Sequence, residues 1–387
     1  MSHNSSSTSL VDRLTELVLA PMKAAFVGKD EIIDLLGICL VGGENLFLMG
    51  PPGTAKSALV RDLASRIHGR SFDYLLTRFT EPNELFGPFD IRKLREGELV
   101  TNKEGMLPEA DLVFLDELLN ANSAVLNSLL MVLNERVFRR GRETIRVPML
   151  MTVGASNHLP EDEALRALFD RFLIRVPCRN VEQEQLGDVL AAGWSLDQKF
   201  RQSERQESGI TVDDARQLQQ LTNTVDLSEV RKVYVELLHR LRHAGAPVSD
   251  RRAVKLQRLL AASAILCGRS TVVPSDMWIL RYTWETEEQQ EVLATLVDES
   301  IQRHGQQDEA PHPRVHATTA PDPEALARDL DRIESRMEDE LKNSEKSYLR
   351  DQLSVLSGRC EWIASTQPRE FLAQRVKELF ERLEASR

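Results

Sequence analysis

Cysteine is scarce in this 387-residue chain: Cys39, Cys178, Cys267 and Cys360 lie far apart, with no CxxC pair. That spacing argues against a zinc site and against a disulfide framework, and it implies four ordinary buried thiols. No apolar run approaches the ~20 residues that a membrane span requires. Runs such as 46–49 and 112–115 are only strand-length. The Ser-rich start, residues 1–10, lacks a basic stretch followed by an apolar core, so a secretory signal is not expected and a cytoplasmic location is. Aromatic residues make up only 5%, and the formal charge is −11, which disfavours non-specific nucleic-acid binding because that activity needs a basic surface.

What is present is a globular balance: 42% apolar and 28% charged residues, in a chain long enough for two or three folded units. Residues 1–27 are expected to form an N-terminal helix and linker. From 28 to 180, short apolar runs at 45–49, 72–77, 112–115, 149–155 and 172–177 alternate with helical patterns. Such alternation predicts the α/β class, a parallel sheet covered by helices, with each strand buried on both faces. Over 181–304 the strand signals vanish and amphipathic helices follow, for example 230–241 and 253–266, predicting an all-helical domain. Residues 305–323 collect four prolines and read as a flexible linker. In 324–387, Leu326, Leu330, Ile333, Met337 and Leu341 form one stripe, and Phe371, Leu372, Val376, Leu379 and Phe380 form another. Two helices paired as a hairpin are expected there, serving either as a packing module or as a partner-docking element.

The run 45–49 leads directly into Gly50, Pro51, Pro52, Gly53, Thr54, Ala55, Lys56 and Ser57, and then into a helix over 58–67. Strand, loop and helix stand in the order of a phosphate cradle. Glycines let the backbone wrap the anion, N–H groups and the helix N-terminus point at it, Lys56 reaches its outer oxygens, and Ser57 offers a hydroxyl to Mg²⁺. The match to G-x-x-x-x-G-K-[ST] is one residue short, because Ala55 stands where glycine is usual. Alanine fits there only at negative φ. A second apolar run, 112–115, ends in Asp116 and Glu117. Asp116 suits the Mg²⁺ shell, and Glu117 suits polarising the water that attacks a γ-phosphate. A solvated acidic turn would not account for the loop some sixty residues earlier.

With both elements in place, residues 8–304 resemble the MoxR family of AAA+ ATPases, and its RavA branch in particular. The carriers are residues 50–57 with Ala before the lysine, Leu76-Thr77-Arg78-Phe79, Glu84-Leu85-Phe86-Gly87-Pro88 and Val113-Phe114-Leu115-Asp116-Glu117. Further along come Leu133-Asn134-Glu135-Arg136, Ala155-Ser156-Asn157 and Val248-Ser249-Asp250-Arg251-Arg252. The resemblance implies a P-loop AAA+ parallel αβα sandwich followed by an all-α lid, ATP hydrolysis to ADP with Mg²⁺, and a hexameric ring.

The resemblance also implies site roles. Asn157 resembles sensor 1, with a helix N-cap as the alternative. Arg171 resembles the arginine finger given to a neighbouring subunit, with a salt bridge to Asp170 as the alternative. Arg251 resembles sensor 2, and Arg252 is the other candidate. Phe26 and Val27 stand where the family lines the adenine pocket, although a pair of core residues would look the same.

Residues 82–91 and a hairpin at 137–147 resemble the family's substrate-facing elements. The hairpin's Arg136, Arg139, Arg140, Arg142 and Arg146 read better as a solvated face or inter-subunit ion pairs than as a nucleic-acid surface. A von Willebrand factor A-domain (VWA) partner and a protein-complex client are implied, which makes the chain a chaperone-like remodeller. A nucleic-acid remodeller and an activase for one enzyme are the alternatives. The chain departs from RavA after residue 305, so the partners of RavA's extension do not transfer.

Overall fold

The structure is a computed structural model. It describes residues 10–96, 99–140, 143–160, 162–181, 185–201, 208–246, 248–305, 311–315, 323–337 and 366–385, together with 346, 349, 350, 353, 356, 357 and 360. The chain divides into two compact units, Met1–His312 and Pro313–Arg387.

In the first unit β1 is Leu46–Met49, β2 Ile67–His68, β3 Ser71–Leu75 and β4 Leu112–Asp116. The hairpin β5 Val137–Arg140 and β6 Glu143–Arg146 follows, then β7 Met151–Ser156, β8 Ile174–Pro177 and β9 Ile210–Thr211. Five of these build a sheet in the order β3-β4-β7-β1-β8, and every pairing within it is parallel. Parallel neighbours need crossovers, and helices such as Lys56–Arg66 and Ser123–Glu135 supply them. Met49 pairs with Ser156 and Pro177, and Leu75 with Asp116, so the carboxyl ends of the strands share one edge. In open α/β sheets that edge is where ligands bind.

β1 and β7 are buried at every position, as a central strand covered on both faces must be. β3 departs from the expected double burial. It is one of the two edge strands, and its Ser71, Asp73 and Leu75 are exposed while Phe72 is buried. An edge strand has a neighbour on one side only, and charged positions there discourage further pairing.

The helices Val212–Leu221, Arg231–His243, Asp250–Leu266 and Glu287–His304 follow, with a 3₁₀ segment Pro274–Tyr282, and Leu259, Leu260, Trp278 and Trp284 of this region are buried. Thr211 and Asp214 cap the first of these reciprocally, and the Ser249 hydroxyl accepts from Arg252 N at the start of the third. The expected all-helical character is broken by β9, which pairs in parallel with β2. Within the expected linker, His312 is buried: its ring lies 5.0 Å from that of Trp278, and its N–H donates to Ser275 Oγ.

In the second unit the helices Pro323–Met337 and Thr366–Ala385 pack through Leu326, Leu330 and Ile333 against Leu372, Val376 and Leu379. Leu349, Leu353, Leu356 and Cys360 join this core, so it is more than a two-helix seam. Phe371, expected in the stripe, is 65% exposed, because Leu372 next to it takes the inward position. Leu341 lies outside the described residues.

Candidate nucleotide site

The loop after β1 is shaped by a close backbone approach. Gly50 N donates to Ser156 O, and a Cβ on Gly50 would stand 2.1 Å from Cys178 O, so only glycine fits between β7 and β8. Gly53 follows at φ +85°, and Thr54 Oγ1 donates to Pro51 O over 2.9 Å. Ala55 adopts φ 66° and ψ 18° in the left-handed region, which overturns the expectation of a negative φ. The loop keeps the geometry that usually calls for glycine, and the alanine carries the strain of about 1–2 kcal/mol. Lys56 opens the following helix. It is buried, and its Nζ donates to Gly50 O and Pro51 O over 2.6 and 3.0 Å, across the mouth of the loop.

The second expected element meets the first directly: Ser57 Oγ donates to Asp116 Oδ2 over 2.9 Å. Asp116 Oδ1 accepts from Glu117 N. Glu117 itself sits at φ 50° and ψ 41°, a left-handed conformation that is costly for a non-glycine residue. Its buried Oε2 has no hydrogen-bond partner among the described residues. Strain combined with an orphaned buried acceptor is characteristic of functional sites. A cradle that a Cβ would fill, a lysine at its mouth and a hydroxyl–carboxylate pair together fit a nucleotide triphosphate and its Mg²⁺.

Asn157 follows β7 at the same edge, between the ends of β1 and β4, and is exposed. The N-cap alternative is not seen, since Asp162 caps the helix Glu163–Phe169. Beside Asn157, His158 Nε2 lies 3.4 Å from Asn120 Oδ1, bridging the β7 and β4 ends. Arg171 forms the alternative contact with Asp170, at a loose 3.6 Å, and its Nε is buried without a partner. Arg252 is buried and committed, donating to Glu285 Oε1 over 2.6 Å and to Thr283 O. Arg251 is exposed. Phe26 is buried and Val27 half-buried at the turn before Gly28, which packs against Val181 and Gln185. The next residue, Lys29, donates to Arg179 O, and burial lowers its pKa.

The hairpin arginines are largely used within the chain. Arg136, half-buried, donates to Gly43 O and Asn45 Oδ1; Arg139 pairs with Glu135; Arg140 donates to Gly87 O and stacks 3.9 Å over Phe89. Phe138 stacks on Phe86, which joins the hairpin to the helix Pro82–Phe86. Arg142 lies outside the described residues and Arg146 is exposed. Three further residues were not singled out in the sequence. Asn45 ties Arg136, Thr152 N and Arg171 O together, and Arg175 donates from β8 to Thr283 O and Trp284 O. Asn122 caps the helix Ser123–Glu135 and donates to Arg78 O and Thr80 O. Asn122 had a visible signal, a capping residue before an apolar run, whereas Asn45 and Arg175 had none.

The family model described as the MoxR domain of MoxR-vWA-beta-propeller ternary systems matches residues 12–220, more than half of the chain. The chain belongs to the MoxR family. A model for an AAA lid domain matches residues 226–297 of this MoxR protein. An uncharacterised protein of Methanocaldococcus jannaschii is similar over 295 residues at 32% identity, covering 76% of each chain. The chaperone MoxR1 of Mycobacterium tuberculosis is 27% identical over 165 residues, 42% of this chain and 43% of MoxR1. A crystal structure of a candidate ATPase from Cytophaga hutchinsonii shares the fold, with a TM-score of 0.62 over 76% of this chain and 96% of its own, at 19% identity. The parallel five-stranded sheet followed by a lid is therefore the AAA+ ATPase fold. Among the described residues no helix is long and apolar enough to cross a membrane.

Proposed function

We propose that this MoxR protein is an ATP-hydrolysing motor that remodels or matures a protein complex together with a VWA-domain partner, in a cytoplasmic hexameric ring. The observation that carries the hydrolytic part is the Ser57–Asp116 contact with strained Glu117 next to it, whose buried Oε2 has no hydrogen-bond partner among the described residues. Lys56 and the loop from Gly50 to Thr54 would hold the phosphates, and Ser57 and Asp116 the Mg²⁺. Bound Mg²⁺ would offset charge on the phosphate oxygens. Glu117 would take the proton of the attacking water, Asn157 would orient that water, and Phe26 and Val27 would flank the adenine.

Arg171, loosely held by Asp170, would serve a neighbouring subunit's site, and exposed Arg251 is a better sensor 2 than committed Arg252. The family description supports the VWA partner. Ala55 before the lysine and the Ser249–Arg252 run support the RavA branch.

The test is Lys56→Ala against Glu117→Gln. The first should abolish ATP binding; the second should keep binding and lose turnover by a factor on the order of 10³ or more. Near wild-type hydrolysis by Glu117→Gln would overturn the assignment. What co-purifies with that trapped variant would identify the client.

A further inference from the structure

Glu117 and Asn157 would act on one water, yet the sheet does not fix the distance between them. The parallel ladder between β4 and β7 ends at Leu115 opposite Gly154, two residues before Glu117 and three before Asn157. Beyond that point their separation depends on what joins the two strand ends. Glu117 also sits at φ 50°, a conformation that persists in a non-glycine residue only where its surroundings hold it.

Two contacts tie the turn after Glu117 to β7. Leu118 is fully buried and lies so near Gly154 that a Cβ there would stand 2.8 Å from Leu118 Cδ2. At the far end of the 3₁₀ turn Leu118–Asn120, Asn120 N donates to Glu117 O over 2.9 Å, and Asn120 Oδ1 lies 3.4 Å from His158 Nε2. His158 is itself fixed at the end of β7. Its backbone N–H donates to Ser156 Oγ over 3.3 Å. Its Nδ1 lies 3.0 Å from Leu159 O, a carbonyl that only accepts, so Nδ1 carries a proton. Nε2 is thereby turned to the Asn120 carboxamide, which offers both an acceptor and a donor. The protonated ring donates to Oδ1, and the neutral ring accepts from the amide after a half-turn of the carboxamide, so the link survives titration of the ring. Both side chains are half-buried at the carboxyl edge of the sheet.

We propose that His158 is a positioning residue for hydrolysis: through Asn120 it holds the turn that carries Glu117 at a fixed distance from Asn157. Its effect falls on the base and not on the phosphates, so it governs turnover and leaves ATP binding alone. The assignment rests on the reading of Glu117 as the base and Asn157 as the residue that orients the water, and it names what sets their spacing.

The experiment is steady-state ATP hydrolysis by the full chain with Mg²⁺, alongside calorimetric ATP titration and urea unfolding. Wild type is compared with His158→Leu, Asn120→Ala, the double variant and His158→Gln. Because a misplacement of about 1 Å costs on the order of 10²-fold, His158→Leu and Asn120→Ala should each lower kcat by about 10–100-fold. KM and ATP affinity should stay within about twofold of wild type, since no ground-state binding is removed. The double variant should be no slower than the slower single variant, because both remove the same link. Glutamine places a donor and an acceptor near the position of Nε2, so His158→Gln should recover kcat to within about threefold of wild type. Four results would each overturn the assignment: wild-type kcat in His158→Leu, losses that multiply in the double variant, a loss that His158→Gln does not recover, or a loss that follows the urea midpoint across the variants. With Glu117→Gln inactive in the same assay, those results leave the reading of Glu117 standing. Near wild-type hydrolysis by Glu117→Gln would overturn both.

Discussion

The hydroxyl of Ser57 donates to Asp116 Oδ2 over 2.9 Å, so the helix after the phosphate loop and the acidic end of β4 are already in register before any ligand is considered. Five parallel strands set that register: Met49 and Asp116 stand at the same carboxyl edge with β7 between them.

If this pair holds a divalent cation, Asp116→Asn should weaken ATP binding about tenfold, about 1.4 kcal/mol, with Mg²⁺ present. Without Mg²⁺ the affinity should barely change, because the phosphates contact the loop and Lys56 instead. Calorimetric titration under the two conditions separates these cases. An equal loss in both would remove Asp116 from the cation shell.

Ala55 gives a stability prediction of opposite sign to most loop substitutions. Its left-handed backbone costs a non-glycine residue about 1–2 kcal/mol, and glycine gives back about 0.4–1 kcal/mol through the freer unfolded chain. Ala55→Gly should therefore stabilise the protein by roughly 0.5–1 kcal/mol on these terms. Ala55→Val, β-branched at a positive φ, should destabilise it further. Urea unfolding midpoints of the three proteins test this. A destabilised Ala55→Gly protein would mean that the loop does not hold that backbone conformation.

The strand runs, the phosphate loop and the Asp-Glu pair were legible in the sequence for a local reason: each is a continuous segment whose pattern states its environment. Asp73 and Leu75 of β3 were harder to place, because nothing in a short apolar run says which strand will lie at an edge. The left-handed backbone at Ala55 and Glu117 was illegible, and so was the close approach of Cys178 O, from the end of another strand, that leaves room only for glycine at position 50. Arg175 was missed for a similar reason. It is a fully buried cation inside a strand, and its acceptors, Thr283 O and Trp284 O, lie over a hundred residues away in sequence. Among the described residues the stripe in the C-terminal helices came through except at Phe371, where two adjacent apolar residues left the facing one ambiguous.

Cys178 supplies a pH test. Burial pushes its thiol from 9.0 up to about 11, against the opposing pull of Lys29 and Lys56. The folded protein thus keeps a proton that the unfolded chain releases. The resulting stability is present below pH 9 and is lost as pH rises through about 11. The unfolding midpoint of wild type should fall more steeply between pH 8 and 11 than that of Cys178→Ala, and the native thiol should resist alkylation at pH 8. Parallel slopes for the two proteins would contradict this.

Arg171 and Arg252 both approach Asp170, at 3.6 and 3.8 Å, yet they should behave differently when removed. Arg171 is partly exposed, and a loose exposed pair contributes about 0–1 kcal/mol, so Arg171→Ala should unfold much like wild type. Its turnover, however, should drop by a factor on the order of 10³ if the guanidinium completes a neighbour's site. Arg252 is buried and holds Glu285 and Thr283 O. Arg252→Ala should therefore lose about 1–3 kcal/mol of stability through unpaired groups. Mixing decides the finger role: Arg171→Ala combined with Glu117→Gln should regain part of the activity that each lacks alone. A site formed between the two variants can then have both an intact Glu117 and an intact Arg171. Failure to regain any, in mixtures shown to co-assemble, would place Arg171 in its own subunit's structure and return the transition-state charge to other cations.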